Sequence, residues 1–165
     1  MYSSEKQAER RERGEAFQAE VRRSWKLLPN LWRLRITDSV SRLGTRPADE
    51  VVLTDRFNYL VEEKRTDGNQ FTLSLLRPDQ LKGLLEFEKA LERNRGYVFI
   101  SFLSETVDEA YAIRLLDALI YMKKQKRQYV SLEELRNKNI DVISLPLIEI
   151  DGERGYDLKG VLNCK

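Results

Sequence analysis

The stretch Tyr97–Leu103, YVFISFL, constrains this chain more than any other. Six of its seven residues are apolar, and most are β-branched or aromatic. Seven residues are too few to span a membrane and suit one strand. With no polar face to turn to water, such a strand must be covered on both sides. That demands a sheet with a layer on each face, so the expected class is α/β. A chain of 165 residues, 41% hydrophobic and 34% charged, can build that core as one domain.

The other elements read outward from this strand. Phe17, Val21, Trp25 and Leu28 recur at spacings of four, four and three, which predicts a helix over about 4–28. Trp32, Leu34 and Ile36 alternate with Arg33 and Arg35, predicting a strand with one buried and one basic face. A loop over Ser39–Ala48 is followed by strands at Val51–Leu53, Phe57–Lys64 and Phe71–Leu76. Asp67-Gly68 signals a hairpin between the last two. Pro78 opens a helix to about Arg93. Thr106-Val-Asp-Glu109 and Ser131-Leu-Glu-Glu134 both read as capping boxes, the first opening a helix to about Lys124. Short strands near Leu147–Ile150 and Tyr156–Val161 are joined by Asp151-Gly152. The expected organisation is one domain over 1–165. It has a basic N-terminal helix (about 4–28), a core (about 31–105) and C-terminal helices and short strands (about 106–165).

Several chemistries are excluded by missing residues. Without histidine there is no Ser-His-Asp or Cys-His catalysis and no His-based zinc site. The one cysteine, Cys164, excludes an internal disulfide framework and fits a reducing cytoplasm. The N-terminal MYSSEKQAERRERGE lacks the apolar segment of a secretory signal. No phosphate-binding glycine loop occurs. Carboxylates, Lys, Arg, Tyr, Ser and amides remain, and carboxylates commonly work through Mg²⁺.

Charge is unevenly placed. The chain is net +2, yet residues 10–46 hold ten Lys and Arg against four acids, net +6. A second cluster is Lys123, Lys124, Lys126 and Arg127. Such segments can neutralise phosphates; they also serve as solvated helix faces.

The stretch that can carry chemistry is Pro47-Ala-Asp49 with Val61-Glu62-Glu63-Lys64, Asp49 lying thirteen positions before Glu62. In a strand, Glu62 and Lys64 share a face. If the two strands pair, Asp49 reaches the end of Glu62's strand, and two carboxylates and a lysine converge at a sheet edge. Asp49, Glu62 and the backbone carbonyl of Glu63 can then hold Mg²⁺, with Mn²⁺ a substitute, leaving room for water and a phosphate oxygen. Lys64 can orient water and hold a phosphate. A surface Glu-Lys pair is the plain alternative. Gln80 can reach this site from the next helix or lie on the surface.

These residues resemble the PD-(D/E)XK nuclease superfamily and, within it, the RecU-type Holliday junction resolvases of Gram-positive bacteria and their phages. The resemblance runs through Gly14-Glu-Ala-Phe17, Asp49, Tyr59-Leu-Val-Glu62-Glu-Lys64-Arg-Thr66, Phe71-Thr-Leu-Ser-Leu, Pro78-Asp-Gln80-Leu and Gly96-Tyr-Val-Phe-Ile-Ser-Phe102, over about residues 14–165. It implies a restriction-endonuclease-like mixed β-sheet flanked by helices. Asp49 and Glu62 would be metal ligands, Lys64 the catalytic lysine, and Gln80 a glutamine beside the site. It also implies a homodimer cutting branched DNA, preferentially four-way junctions, to 5′-phosphate and 3′-hydroxyl ends. The location implied is the cytoplasm, the host's for a phage enzyme.

The chain departs from that family twice. Where the family places a glutamate four residues after the helix glycine, this chain has Gln18; Glu20 is the nearest substitute ligand, Glu15 or none the alternatives. The junction-entering stalk of the family has only twelve residues here, between Ile36 and Asp49, which suits a relaxed preference among branched substrates. Expected DNA contacts are Arg22, Arg23, Arg33, Arg35, Arg42, Arg46 and Arg65. Asp38 is an extra acid or a turn residue. Trp25 and Trp32 pack in the core rather than stack on bases. A non-catalytic branched-DNA-binding protein is the alternative function.

Overall fold

The computed structural model describes residues 2–37 and 46–163. Most of the expected loop, with Asp38 and Arg42, and also Cys164, lies outside the described residues. Helix α1 (Tyr2–Trp25) is followed by strands β1 (Leu31–Arg35), β2 (Glu50–Thr54), β3 (Asn58–Thr66) and β4 (Gln70–Thr72). Helix α2 (Pro78–Ala90) leads to β5 (Asn94–Leu103), β6 (Asp108–Arg114) and α3 (Leu115–Lys124). Then come β7 (Tyr129–Ser131), α4 (Leu132–Arg136), β8 (Val142–Ser144), β9 (Leu147–Ile150), β10 (Glu153–Tyr156) and α5 (Lys159–Leu162).

Six strands form a mixed sheet in the order β1-β2-β3-β5-β6-β8, flanked by helices. β3 and β5 run parallel, joined through α2, and the other neighbours are antiparallel. β5 is the expected central strand. Its Val98, Ile100 and Phe102 pack with Leu84, Leu115, Ala118 and Met122 on one face. Its Tyr97 and Phe99 pack with Phe17, Val21 and Trp25 of α1 on the other. Burying each such side chain contributes about 1.5–3 kcal/mol. Among the described residues no helix is long and apolar enough to cross a membrane.

Four expectations are corrected. First, Asp67-Gly68 does not make a hairpin. β4 leaves β3 and pairs with β7, which buries Phe71 beside Val130. Second, Thr106–Glu109 does not cap a helix. Ser104 Oγ accepts from the Thr106 and Val107 amides, and the segment turns β5 back into β6. The apolar run Ala110–Ile113 is buried on both faces, and a short buried run has no period to separate strand from helix. The helix starts only at Leu115. Third, the faces of β1 are reversed: Trp32 and Leu34 are 54% and 49% exposed, while Arg33 and Arg35 are half-buried beneath α1. There Arg33 pairs with Glu50 of β2 and Arg35 donates to Gln18 of α1. Fourth, β10 ends at Tyr156 and Val161 lies in α5.

Candidate active site

The site lies where β3, the residues leading into β2, the first turn of α2 and the middle of α1 meet. Pro47 packs against α2 at Gly83, where a Cβ would stand 2.4 Å from the Pro47 Cβ. This contact fixes the approach to Asp49. The Asp49 amide donates to the Val61 carbonyl at 3.0 Å, and its carbonyl accepts from the Ile36 amide at 2.8 Å. The backbone of Asp49 is therefore held between the end of β1 and β3.

Its carboxylate is 3% exposed and heavily engaged. Oδ2 accepts from the Glu63 amide at 2.7 Å. Oδ1 accepts from Gln18 Nε2 at 3.2 Å and from the Arg46 guanidinium. The Glu63 amide thus faces Asp49, and its carbonyl lies on the same strand edge, since both groups of one strand residue point the same way.

Glu62 is 1% exposed. Its Oε1 accepts from Lys64 Nζ at 2.7 Å and from Gln80 Nε2 at 2.5 Å. Its Oε2 is buried and has no hydrogen-bond partner among the described residues. Burial, reinforced by the Asp49 charge and opposed by Lys64, pushes Glu62 up to about 7. Gln80 is itself buried. Its Oε1 accepts from the Arg77 amide at 3.0 Å and from Lys64 Nζ at 3.3 Å. One amide side chain thus ties the start of α2 to both charged groups of β3. Asp49, Glu62, Lys64 and Gln80 are brought together.

Glu63 projects to the opposite face, toward Glu50 of β2. Burial first, then the Glu50 and Asp49 charges, raise Glu63 well above the usual carboxylate range. Burial also raises Glu50. Glu50 accepts from Trp25 Nε1 at 2.5 Å and pairs with Arg33 at 3.4 Å. Four acids therefore crowd one strand junction.

The arginines divide. Arg22, Arg35 and Arg46 line an open cleft of about 800 Å³ over Asp49 and Glu62. Arg35 also donates to Gln18 Oε1 at 2.5 Å. Arg33 is held on Glu50. Arg23 turns away, onto Glu153 at 2.8 Å and the Arg154 carbonyl. Arg65 also borders the cleft, but its side chain turns inward. Its side chain is 3% exposed and pairs with Glu20 at 2.5 Å, with Ser101 Oγ at 2.9 Å and Tyr156 at 3.2 Å. Glu20, the expected substitute ligand, is held there by Arg65, Arg154 and Tyr156 rather than beside Asp49.

Sequence reasoning missed Glu50 and the cleft arginines Arg10, Arg11 and Arg77. A signal existed for the α1 wall. Arg11, Glu15, Gln18 and Arg22 recur at spacings of four, three and four, a polar stripe beside the apolar one.

Among the described residues, no group of three or more acids and cysteines is arranged to hold a metal alone. The donor set is two carboxylates and a carbonyl, and Glu62 Oε2 is a buried acceptor without a hydrogen-bond partner among the described residues. Such a set fits an ion that keeps water or phosphate in much of its shell, as Mg²⁺ does.

No protein-family model matches the chain, and no curated protein does. Among solved structures it is similar to Archaeoglobus fulgidus Hjc, a Holliday junction resolvase from an archaeal hyperthermophile. The TM-score is 0.44 and the identity 16%, over 67% of this chain and 79% of that one.

Proposed function

We propose that this chain is a Mg²⁺-dependent, structure-specific DNA endonuclease with a restriction-endonuclease-like core. It cuts branched DNA, preferring four-way junctions, as a homodimer in the cytoplasm during recombination, repair or phage DNA processing. One observation carries this reading: Asp49, Glu62, Lys64 and Gln80 converge under a cleft walled by arginines, and Glu62 keeps one buried oxygen without a partner. A phosphodiester is the substrate such a cleft fits, because cationic walls attract its charge and an acid cluster alone would repel it.

Asp49, Glu62 and the Glu63 carbonyl would hold Mg²⁺, with Mn²⁺ able to stand in. The bound ion would supply a Lewis acid and make hydroxide available at neutral pH. The protein's own groups do the positioning. Gln80 clamps Glu62 and Lys64 in one geometry. Lys64 presents its ammonium at the mouth of the cleft, where it can hold a phosphate oxygen and orient water. Arg22 and Arg35 hold the backbone on either side. In-line attack leaves a 5′-phosphate and a 3′-hydroxyl. A second reading, branched-DNA binding without cleavage, is favoured by Gln18, whose amide occupies Asp49 where a carboxylate would strengthen a metal shell.

The test is cleavage of labelled four-way junction, fork and linear duplex by wild type and Asp49→Asn, with Mg²⁺ and with EDTA. Paired nicks in the junction that need Mg²⁺ and fall at least about 10³-fold in Asp49→Asn are expected. Equal cutting of all three substrates removes the junction preference. Binding without cutting selects the second reading.

A further inference from the structure

Arg46 and Gln18 both donate to Oδ1 of Asp49, and the Glu63 amide donates to Oδ2, so little of this carboxylate is left to a cation. We infer that Arg46 is a tethered counter-ion for Asp49, displaced when a divalent cation enters, so that it sets the affinity of the site for metal. This rests on the reading of the cleft as a metal-dependent one.

Four observations support it. Asp49 Oδ1 carries two donors, Gln18 and Arg46, and Oδ2 carries the Glu63 amide. A carboxylate oxygen cannot keep a guanidinium donor along the direction in which it binds a cation. Second, the amide donors are neutral and Arg46 is charged, so only Arg46 duplicates what the cation brings. Third, Asp49, Glu50, Glu62 and Glu63 meet here; Lys64 pairs with Glu62 and Arg33 with Glu50, and the cation paired with Asp49 is Arg46. Fourth, the sheet hydrogen bonds of Asp49 are made by its backbone amide and carbonyl, so releasing Arg46 from the carboxylate leaves them in place. The side chain is 19% exposed at the cleft, so a displaced guanidinium stays beside the path of a phosphate backbone.

A purely structural ion pair and a displaced counter-ion differ in one measurable way. If Arg46 competes with metal, its loss tightens metal binding. If it only supports the loop, its loss leaves binding equal or weaker. The experiment is a Mn²⁺ titration without DNA, reading free Mn²⁺ by electron paramagnetic resonance, on wild type, Arg46→Met and Arg46→Lys. Arg35→Met and Lys82→Met are the comparisons. Arg46→Met is expected to bind about 10- to 100-fold tighter, the weight of one charge-assisted hydrogen bond. Arg46→Lys should fall between, since a lysine keeps the charge without the fork. Lys82→Met removes an exposed cation on α2 and should change affinity about twofold at most; Arg35→Met removes a cleft cation that reaches Asp49 through Gln18, and should gain clearly less than Arg46→Met.

Unchanged or weaker binding in Arg46→Met overturns the inference, as does an equal gain in Arg35→Met. In both cases the metal site itself stands. Failure of wild type and Arg46→Met alike to bind Mn²⁺ removes the metal-site reading as well. Thermal unfolding of the same proteins supplies a second readout. Mn²⁺ should raise the Tm of Arg46→Met more than that of wild type. If Arg46→Met does not fold, Arg46→Lys carries the test.

Discussion

Glu62 and Lys64 project from one face of β3, Glu63 and Arg65 from the other, and buried ionic groups lie on both. On the α1 face, Arg65 and Glu20 form a pair closed by Ser101, Tyr156 and Arg154, and Arg154 is anchored in turn on Asp108 at 2.7 Å. The Arg65 guanidinium also lies 5.0 Å from the centre of the Phe17 ring. On the α2 face, Glu62 shares one oxygen between two donors and, among the described residues, leaves the other without any. Each pair joins a buried glutamate to a basic residue. What differs is leftover capacity. A satisfied cluster joins elements of the fold, and an incomplete one has room for something the protein does not itself contain.

This contrast breaks most visibly at Arg65. Arg65→Met should cost about 3–5 kcal/mol, because it leaves Glu20 charged and buried. Urea unfolding measures it, and cleavage per folded molecule should stay within a few-fold of wild type. A loss of activity at full stability would instead make Arg65 a DNA contact.

The same alternation shows what could be read from the sequence. The period of two put Glu62 with Lys64 and, by the same rule, Arg65 on the far side; charge alone made Arg65 look like a phosphate contact. Local signals were ambiguous in matched pairs. Asp151-Gly152 joins β9 to β10 with φ of 53° and 80°, the left-handed pair that a tight hairpin needs. Asp67-Gly68 makes no such turn, because Phe71 is buried by pairing with β7. Ser131 and Glu134 form a true capping box, Ser131 Oγ accepting from the Glu134 amide at 3.2 Å. Thr106 and Glu109 have the same spacing inside a hairpin. In each false case a long-range partner outweighed the local preference, and one sequence does not state its long-range partners. Glu50 was illegible for a related reason: it matters only because β2 sets it on the same face as Glu63.

The contrast sharpens with pH. Folded Glu62 holds its proton to about 7, above the usual value of 4.5. Between these values the folded chain keeps a proton that the unfolded chain has lost, so stability falls as pH rises across that window and stays low above it. Glu50 and Glu63 act in the same direction. Metal-free protein should be less stable at pH 8 than at pH 5, with roughly 3 kcal/mol of the difference from Glu62. Glu62→Gln should flatten that slope and abolish cleavage together. A slope unchanged in Glu62→Gln would assign the titration to the other two acids.

The smallest effect is expected on β1. Trp32, although large and apolar, is exposed, and Trp32→Thr should change stability by less than about 1 kcal/mol. Trp25→Ala, in the core on α1, should cost about 3–5 kcal/mol. Equal costs would mean that Trp32 is covered in solution.

β3 binds these two fates together. A one-residue insertion or deletion inside Asn58–Glu62 would turn each later side chain of the strand to the other face. Glu62 would fall on the face of Glu63 and Arg65, and Arg65 on the face that Glu62 and Lys64 now hold. No single change elsewhere restores both faces. Such a strand can exchange single residues more readily than it can change its length.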